Sequence, residues 1–194
     1  MNGELICARL AAPVRRNFVL ATSAKQLDKI TGGQPPGPGE CLKFISLHGG
    51  VASISFIRWI ADREPIEYLQ ASTLRIGPKQ YAYLNGLAKS GGLKKARFIT
   101  SGMQTEMDTK KGRNYAKEFM QIASRHGWEA AVANNHSKII LIQTTTAHYV
   151  LETSSNLNEN PKIEQYSFEN NPELYDFYSS FFDNLFARGG GPDG

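Results

Sequence analysis

In the stretch NNHSKIILI, residues 134 to 142, an imidazole and an ammonium stand two positions apart at the head of an apolar run. Alternation along a strand puts His136 and Lys138 on one face, with Ile139 and Leu141 on the other. A lone histidine beside a sheet is more often a surface or hydrogen-bonded core residue than a reactive group. The segment ETSSNLNENPKIEQ, residues 152 to 165, changes that weighting. It places hydroxyls, carboxamides and carboxylates between two strands, where a plain hairpin needs only a turn. A neutral imidazole is a nucleophile or a proton carrier, an ammonium is a fixed positive charge, and hydroxyls and amides donate hydrogen bonds. Together such groups suit a reaction in which charge develops on oxygen.

The elements that must hold these residues follow from periodicity. CLKFISL suggests a short strand, and SISFIRWIADRE, residues 53 to 64, has apolar residues at helical spacing and ends before Pro65. IEYLQASTLRI, residues 66 to 76, holds a strand, and PKQYAYLNGLAKSGG a helix with Pro78 in its first turn. The unit repeats as a strand over 95 to 102, a helix over 113 to 127 stopped by Gly127, and a strand over 128 to 133. Strands alternating with helices imply a largely parallel sheet covered on both faces. From residue 134 the rhythm changes to consecutive strands, HSKIILIQ, AHYVLETS and IEQYSF. A last helix begins at Pro172 with Asn171 as cap and carries Leu174, Phe177, Tyr178, Phe181 and Leu185 on one face. The fold class expected is an α/β/α sandwich with a mixed, largely parallel sheet. Residues 1 to 40 read as an N-terminal arm or edge element, 41 to 187 as the domain, and 188 to 194 as a disordered tail. TGGQPPGPGE, residues 31 to 40, has three prolines and four glycines and can only be a turn or loop.

Composition narrows the functional classes. The chain of 194 residues is 41% hydrophobic, enough for one ordinary core and short for two. Its formal charge of +4 leans weakly toward a polyanionic partner. Cys7 and Cys41 lack any CxxC spacing and read as reduced thiols, not a disulfide framework or zinc site. No apolar run approaches the ~20 residues of a membrane span. The N-terminus has its arginines after its apolar stretch, the reverse of a secretory signal, so a cytoplasmic location is expected.

HxK, then a strand, a turn and SxN, resembles the active-site motif of the phospholipase D superfamily, whose usual form is HxKxxxxD followed by GSxN. The matching residues here are His136, Lys138, Ser154 and Asn156, and Glu164 matches an acidic residue common in small bacterial and phage members. The match spans residues 134 to 168. Two positions depart from the pattern: Gln143 stands where the motif has Asp, and Thr153 where it has glycine. The spacing between the two halves is also longer than usual.

The resemblance implies a phospholipase D-like fold and a metal-independent phosphodiesterase without a cofactor. One histidine would form a phosphohistidine, and a second would protonate the leaving oxygen and then activate water. Lys138, Ser154 and Asn156 would stabilise the phosphoryl oxygens, and Glu164 would orient an imidazole. Only one HxK occurs, since His48, His126 and His148 lack a lysine two residues on. Single-motif members pair two subunits at a twofold axis, so the resemblance implies a homodimer sharing one composite site. A nuclease is the leading expectation, with nucleic acid as partner, DNA ahead of RNA, and no membrane. The alternatives are a binding module whose altered motif has lost turnover, and a phospholipase or phosphatidyl transferase.

Other residues invite a function and read more simply as structure. Lys110, Lys111 and Arg113 in TKKGR can contact phosphates, though a solvated loop is the plainer reading. Arg75 ends a strand, where it can help bind substrate. The aromatic residues of the last helix have core or dimer spacing rather than that of a base-stacking platform.

Overall fold

A computed structural model describes residues 13, 15–21, 33–47, 51–158 and 162–187. Expectations for the remaining residues, including Cys7, His48, most of the N-terminal arm and the C-terminal tail, lie outside the described residues. The elements in chain order are β1 (Arg15–Ala21), β2 (Glu40–Ser46), α1 (Ser53–Ala61), β3 (Ile66–Ser72), α2 (Pro78–Lys89) and β4 (Leu93–Ser101). They continue with α3 (Gly102–Lys110), α4 (Tyr115–Arg125), β5 (Glu129–Ala133), β6 (Ile139–Gln143), β7 (His148–Thr153), β8 (Glu164–Asn170) and α5 (Pro172–Ala187).

The strands form one sheet in the order β1-β2-β8-β7-β6-β3-β4-β5. Pairs β1/β2, β3/β4 and β4/β5 are parallel, and β2/β8, β8/β7, β7/β6 and β6/β3 are antiparallel. Six strands therefore share a direction, and β6 and β8 run against them. This is the expected mixed α/β/α architecture, with the reversals gathered in mid-sheet, where the chain folds back in consecutive strands.

Alternation along β6 sets the two cores. Ile140 and Ile142 face a large core with Phe56, Ile57 and Ile60 of α1, Leu84 of α2 and Phe119 of α4. Leu141 faces the opposite way, onto a smaller core with Ile99, Val150, Tyr175 and Phe182 beneath α5. Under α1 the rings of Phe44, Phe56, Tyr166 and Phe168 meet at centroid distances from 5.1 to 6.2 Å. Cys41 is a buried free thiol.

Three local expectations need correction. The helical face of α5 is met in part: Leu174, Tyr178 and Leu185 pack on the smaller core, but its most buried residues are Tyr175 and Phe182, while Phe181 is 36% exposed. The cause is polar, because Gln70 Nε2 donates to the Tyr175 hydroxyl at 2.9 Å and Arg97 to the Ser179 carbonyl at 3.1 Å, which draws that side of the helix to the sheet. Residues 109 to 113 are not simply a loop, since Lys110 ends α3. That helix buries Gln104 and Asp108 instead of an apolar stripe, so it has no hydrophobic period to read. Gly112, at φ 61, turns the chain out of it. Finally, β6 starts at Ile139 and not at His136, for a reason found in Asn135.

Candidate active site

Ser72 at the end of β3 pairs with Ile139, Ile139 with Glu152 near the end of β7, and Glu164 at the start of β8 with Ser46. The register therefore brings the carboxyl ends of β2, β3 and β7 to the same edge as the amino ends of β6 and β8. Ligands of open α/β sheets approach at that edge.

Asn135, 9% exposed, organises the approach to β6. Its Oδ1 accepts the Ser137 N–H at 3.0 Å, closing a two-residue turn that competes with the strand ladder. The same oxygen accepts the Ser72 hydroxyl at 3.1 Å and the Ser137 hydroxyl at 2.7 Å. Its amide donates to the carbonyls of Thr73 at 3.2 Å and Ile99 at 3.4 Å. One buried carboxamide thus joins the ends of β3 and β4 to the HSK segment. His136 is lifted out as an exposed side chain instead of sitting inside a buried strand.

Lys138 folds back on this histidine: its Nζ lies 3.2 Å from His136 Nδ1 and donates to the His136 carbonyl at 2.7 Å. Burial pushes the Lys138 amine below its ordinary value of 10.5, and the charge of Glu164 pulls it partly back. Thr153 N–H donates to the Lys138 carbonyl at 3.2 Å, which sets the second half of the motif beside the first. The next residue, Ser154, donates its hydroxyl to the carboxylate of Glu164 and accepts the Gln165 N–H at 3.0 Å. Glu164 is 6% exposed, so this is a shielded, charge-assisted bond.

The loop after Ser154 is tied from both sides. Ser155 N–H donates to Thr153 Oγ1 at 2.9 Å, so the threonine in the glycine position serves as a turn acceptor. The Ser155 carbonyl accepts the buried Ser53 hydroxyl at 3.0 Å, and Leu157 N–H donates to Thr73 Oγ1 at 3.0 Å. Held this way, Asn156 has a buried Oδ1 without a hydrogen-bond partner. A buried polar atom left unpaired at a strand edge is a place for a ligand group to bind.

The five residues singled out from sequence thus lie along one edge, with His136 and Lys138 in direct contact and Ser154 joined to Glu164. Gln143 does not belong with them. It ends β6 opposite Tyr68 and His148, four residues beyond Ile139, which at ~3.3 Å per residue is about 13 Å along the strand from the end that follows His136. Sequence reasoning missed Asn135, Ser72, Thr73 and Ser53. The signal available was small polar residues where apolar strands end. Among the described residues no three His, Cys, Asp or Glu side chains converge as a metal site, and no helix is long and apolar enough to cross a membrane.

No family model and no curated protein matches the sequence. Solved structures do. Nuc from Salmonella typhimurium, a phospholipase D family member, superposes with a TM-score of 0.53 at 13% identity, over 76% of this chain and 93% of Nuc. The fold is that of the phospholipase D superfamily. Phosphatidylserine synthase from Haemophilus influenzae superposes with a TM-score of 0.53 at 12% identity, over 77% of this chain. Polyphosphate kinase from Porphyromonas gingivalis does so with 0.51 at 16% identity, over 71%. This chain spans nearly the length of Nuc but only 39% of the synthase and 24% of the kinase. The β6–β7 hairpin sets the His136–Lys138 segment beside the loop that begins at Ser154.

Proposed function

We propose that the protein is a metal-independent phosphodiesterase acting on nucleic acid. The observation that carries this reading is the exposed imidazole of His136 with the Lys138 ammonium 3.2 Å from its ring, at the edge where Thr153 N–H ties the serine–asparagine loop to the Lys138 carbonyl. His136 attacks phosphorus, a P–N bond forms, and the P–O bond to the leaving oxygen breaks. A second imidazole gives that oxygen a proton, then takes one from the water that cleaves the phosphohistidine. The ammonium offsets charge on the non-bridging oxygens, and the NH2 group of Asn156 donates hydrogen bonds to them. Ser154 and Glu164 hold the loop and the charge balance around Lys138.

The second imidazole comes from His136 of another copy of the chain. An exposed position for His136 supports this, because two such side chains can meet only from the surface. The basic charge of +4 favours a nucleic acid over a neutral headgroup. The two motif departures, Gln143 and Thr153, favour a second reading as a binding module. Both readings are separated by incubating wild type and His136→Ala with single- and double-stranded DNA and RNA in excess EDTA. Cleavage by wild type alone, with binding retained by the variant, supports the enzyme. Binding without cleavage by either protein sinks it in favour of the module.

A further inference from the structure

Next to the histidine edge lies a cavity of about 280 Å³ between the loop that follows β3, the end of α3 and the loop that carries Asn156. Its volume is at the lower limit of small-molecule pockets, which suits one chemical group better than a whole ligand. Arg75, Lys79, Lys111 and Arg113 line it, against one carboxylate, that of Asp108. That carboxylate is committed, since Asp108 Oδ2 accepts the Ala116 N–H at 2.8 Å at the start of α4.

The walls are built and rigid. Ile76 N–H donates to Gln104 Oε1 at 3.0 Å, and Gln104 Nε2 returns a bond to the Ile76 carbonyl at 2.9 Å. Gly77 N–H donates to the Leu157 carbonyl at 2.7 Å. A Cβ on Gly77 would run into Gln80 Oε1 and stand 3.3 Å from Asn158 Cβ, so glycine keeps this corner open. Helix α2 starts here with Gly77 as cap and no side-chain cap bond, and directs the positive end of its dipole toward the cavity. Arg75 Nε and Asn158 Oδ1, both on the lining residues, are buried with no hydrogen-bond partner. The Nε–H is an unused donor, and rotation of the Asn158 amide supplies another.

Two shared walls connect this cavity to His136. The loop 73–77 begins at Thr73, whose carbonyl accepts from Asn135 beside His136, and Asn158 follows Asn156 by two residues. We propose that the cavity is a second phosphate subsite, holding the phosphate that flanks the one attacked by His136. This rests on the phosphodiesterase reading above and sharpens it: the substrate is a strand with a phosphate on the neighbouring nucleotide, not an isolated diester.

The test uses the His136→Ala protein, which lacks the proposed nucleophile, and the dinucleotides TpT, pTpT and TpTp in a calorimetric titration. One of the terminally phosphorylated forms binds about ten-fold tighter than TpT, as expected for two or more charge-assisted contacts. Adding Lys111→Gln and Arg113→Gln, both on exposed side chains, abolishes that preference. The pair Lys111→Arg and Arg113→Lys keeps it. On longer single strands the Gln variant loses about 1.4 from the slope of log affinity against log salt, about 0.7 per cation. Equal binding of all three dinucleotides, or a preference that survives the Gln substitutions, overturns the subsite. A phosphate preference together with no cleavage by the intact protein leaves the subsite standing and refutes the catalytic reading instead.

Discussion

Nζ of Lys138 stands 3.2 Å from Nδ1 of His136 and donates to the carbonyl of the same residue at 2.7 Å. While the ammonium holds Nδ1, a neutral imidazole has its proton on Nε2, whereas an attacking Nε2 needs that proton on Nδ1. In the proposed reaction an incoming phosphoryl anion draws the ammonium to itself and releases the ring. Lys138→Met is expected to lower kcat by about 10²-fold or more, as for loss of a charge-stabilising donor. Because burial lowers the Lys138 value below 10.5, activity falls as pH rises through that lowered value. Lys138→Arg, charged throughout, moves the basic limb of the kcat profile upward; a limb that stays in place removes Lys138 from the reaction. The sign for stability is opposite in sense. The unfolded chain holds this proton more tightly, so charged Lys138 costs stability at neutral pH, a cost relieved as pH climbs from the lowered value toward 10.5. Thermal unfolding of Lys138→Met at pH 7 should therefore be no lower than wild type.

Asn135 is the junction on which the position of His136 depends. Asn135→Ala removes the turn bond to Ser137 N–H and the buried bonds to Ser72, the Thr73 carbonyl and the Ile99 carbonyl, of which Ser72 keeps Ser137 and Ile99 keeps the Thr73 N–H. The expected loss is about 2–3 kcal/mol in urea denaturation, together with a lower kcat. Asn134→Ala, one residue earlier and exposed, should stay within about 0.5 kcal/mol. Similar losses for both would show that the hydrogen-bond junction is not what matters.

On the other face of the sheet, Arg97 is 5% exposed and gives Gln70 Oε1 two bonds, at 2.9 and 2.6 Å. It also reaches Asp183 Oδ1 at 2.7 Å and lies 5.4–5.6 Å from the rings of Tyr68, Phe182 and Phe186. Arg97→Met takes both arginine donors from the buried Gln70 Oε1 and should cost about 2–3 kcal/mol. Asp183→Asn should cost less than about 1 kcal/mol, since that carboxylate is 66% exposed and water can replace the arginine. A larger loss from Asp183→Asn than from Arg97→Met would reverse this ranking and assign the stability to the ion pair.

Gln143 stands where the motif this sequence resembles has Asp, yet it closes β6 at the end away from His136, about 13 Å along the strand from Ile139. Gln143→Asp is therefore expected to leave kcat on a nucleic-acid substrate unchanged. A large gain in kcat would show that the far end of the strand is coupled to the imidazole.

What could be read from sequence is what repeats locally. The 3.6-residue period of α4, stopped by Gly127 at φ 65, and the alternation of Ile140, Leu141 and Ile142 are decided by neighbours along the chain. The linear motif likewise named His136, Lys138, Ser154, Asn156 and Glu164 before any contact was known. Helix α3 escaped because its buried side chains, Gln104 and Asp108, are polar, and polarity leaves no period. The start of β6 escaped because one side-chain bond, Asn135 to the Ser137 amide, outcompetes a ladder that residue preferences alone would begin earlier.

The sequence by itself determined the α/β class, most of the element types and a set of candidate residues for phosphoryl chemistry. Only the tertiary structure decided which of them meet, because the deciding contacts join distant segments. Leu157 reaches Thr73 across 84 residues, Ser155 reaches Ser53 across 102, and Asn135 reaches Ile99 across 36. Hydrogen bonds of that kind depend on strand register and loop closure, which are set by the packing of the whole sheet and not by any window of residues.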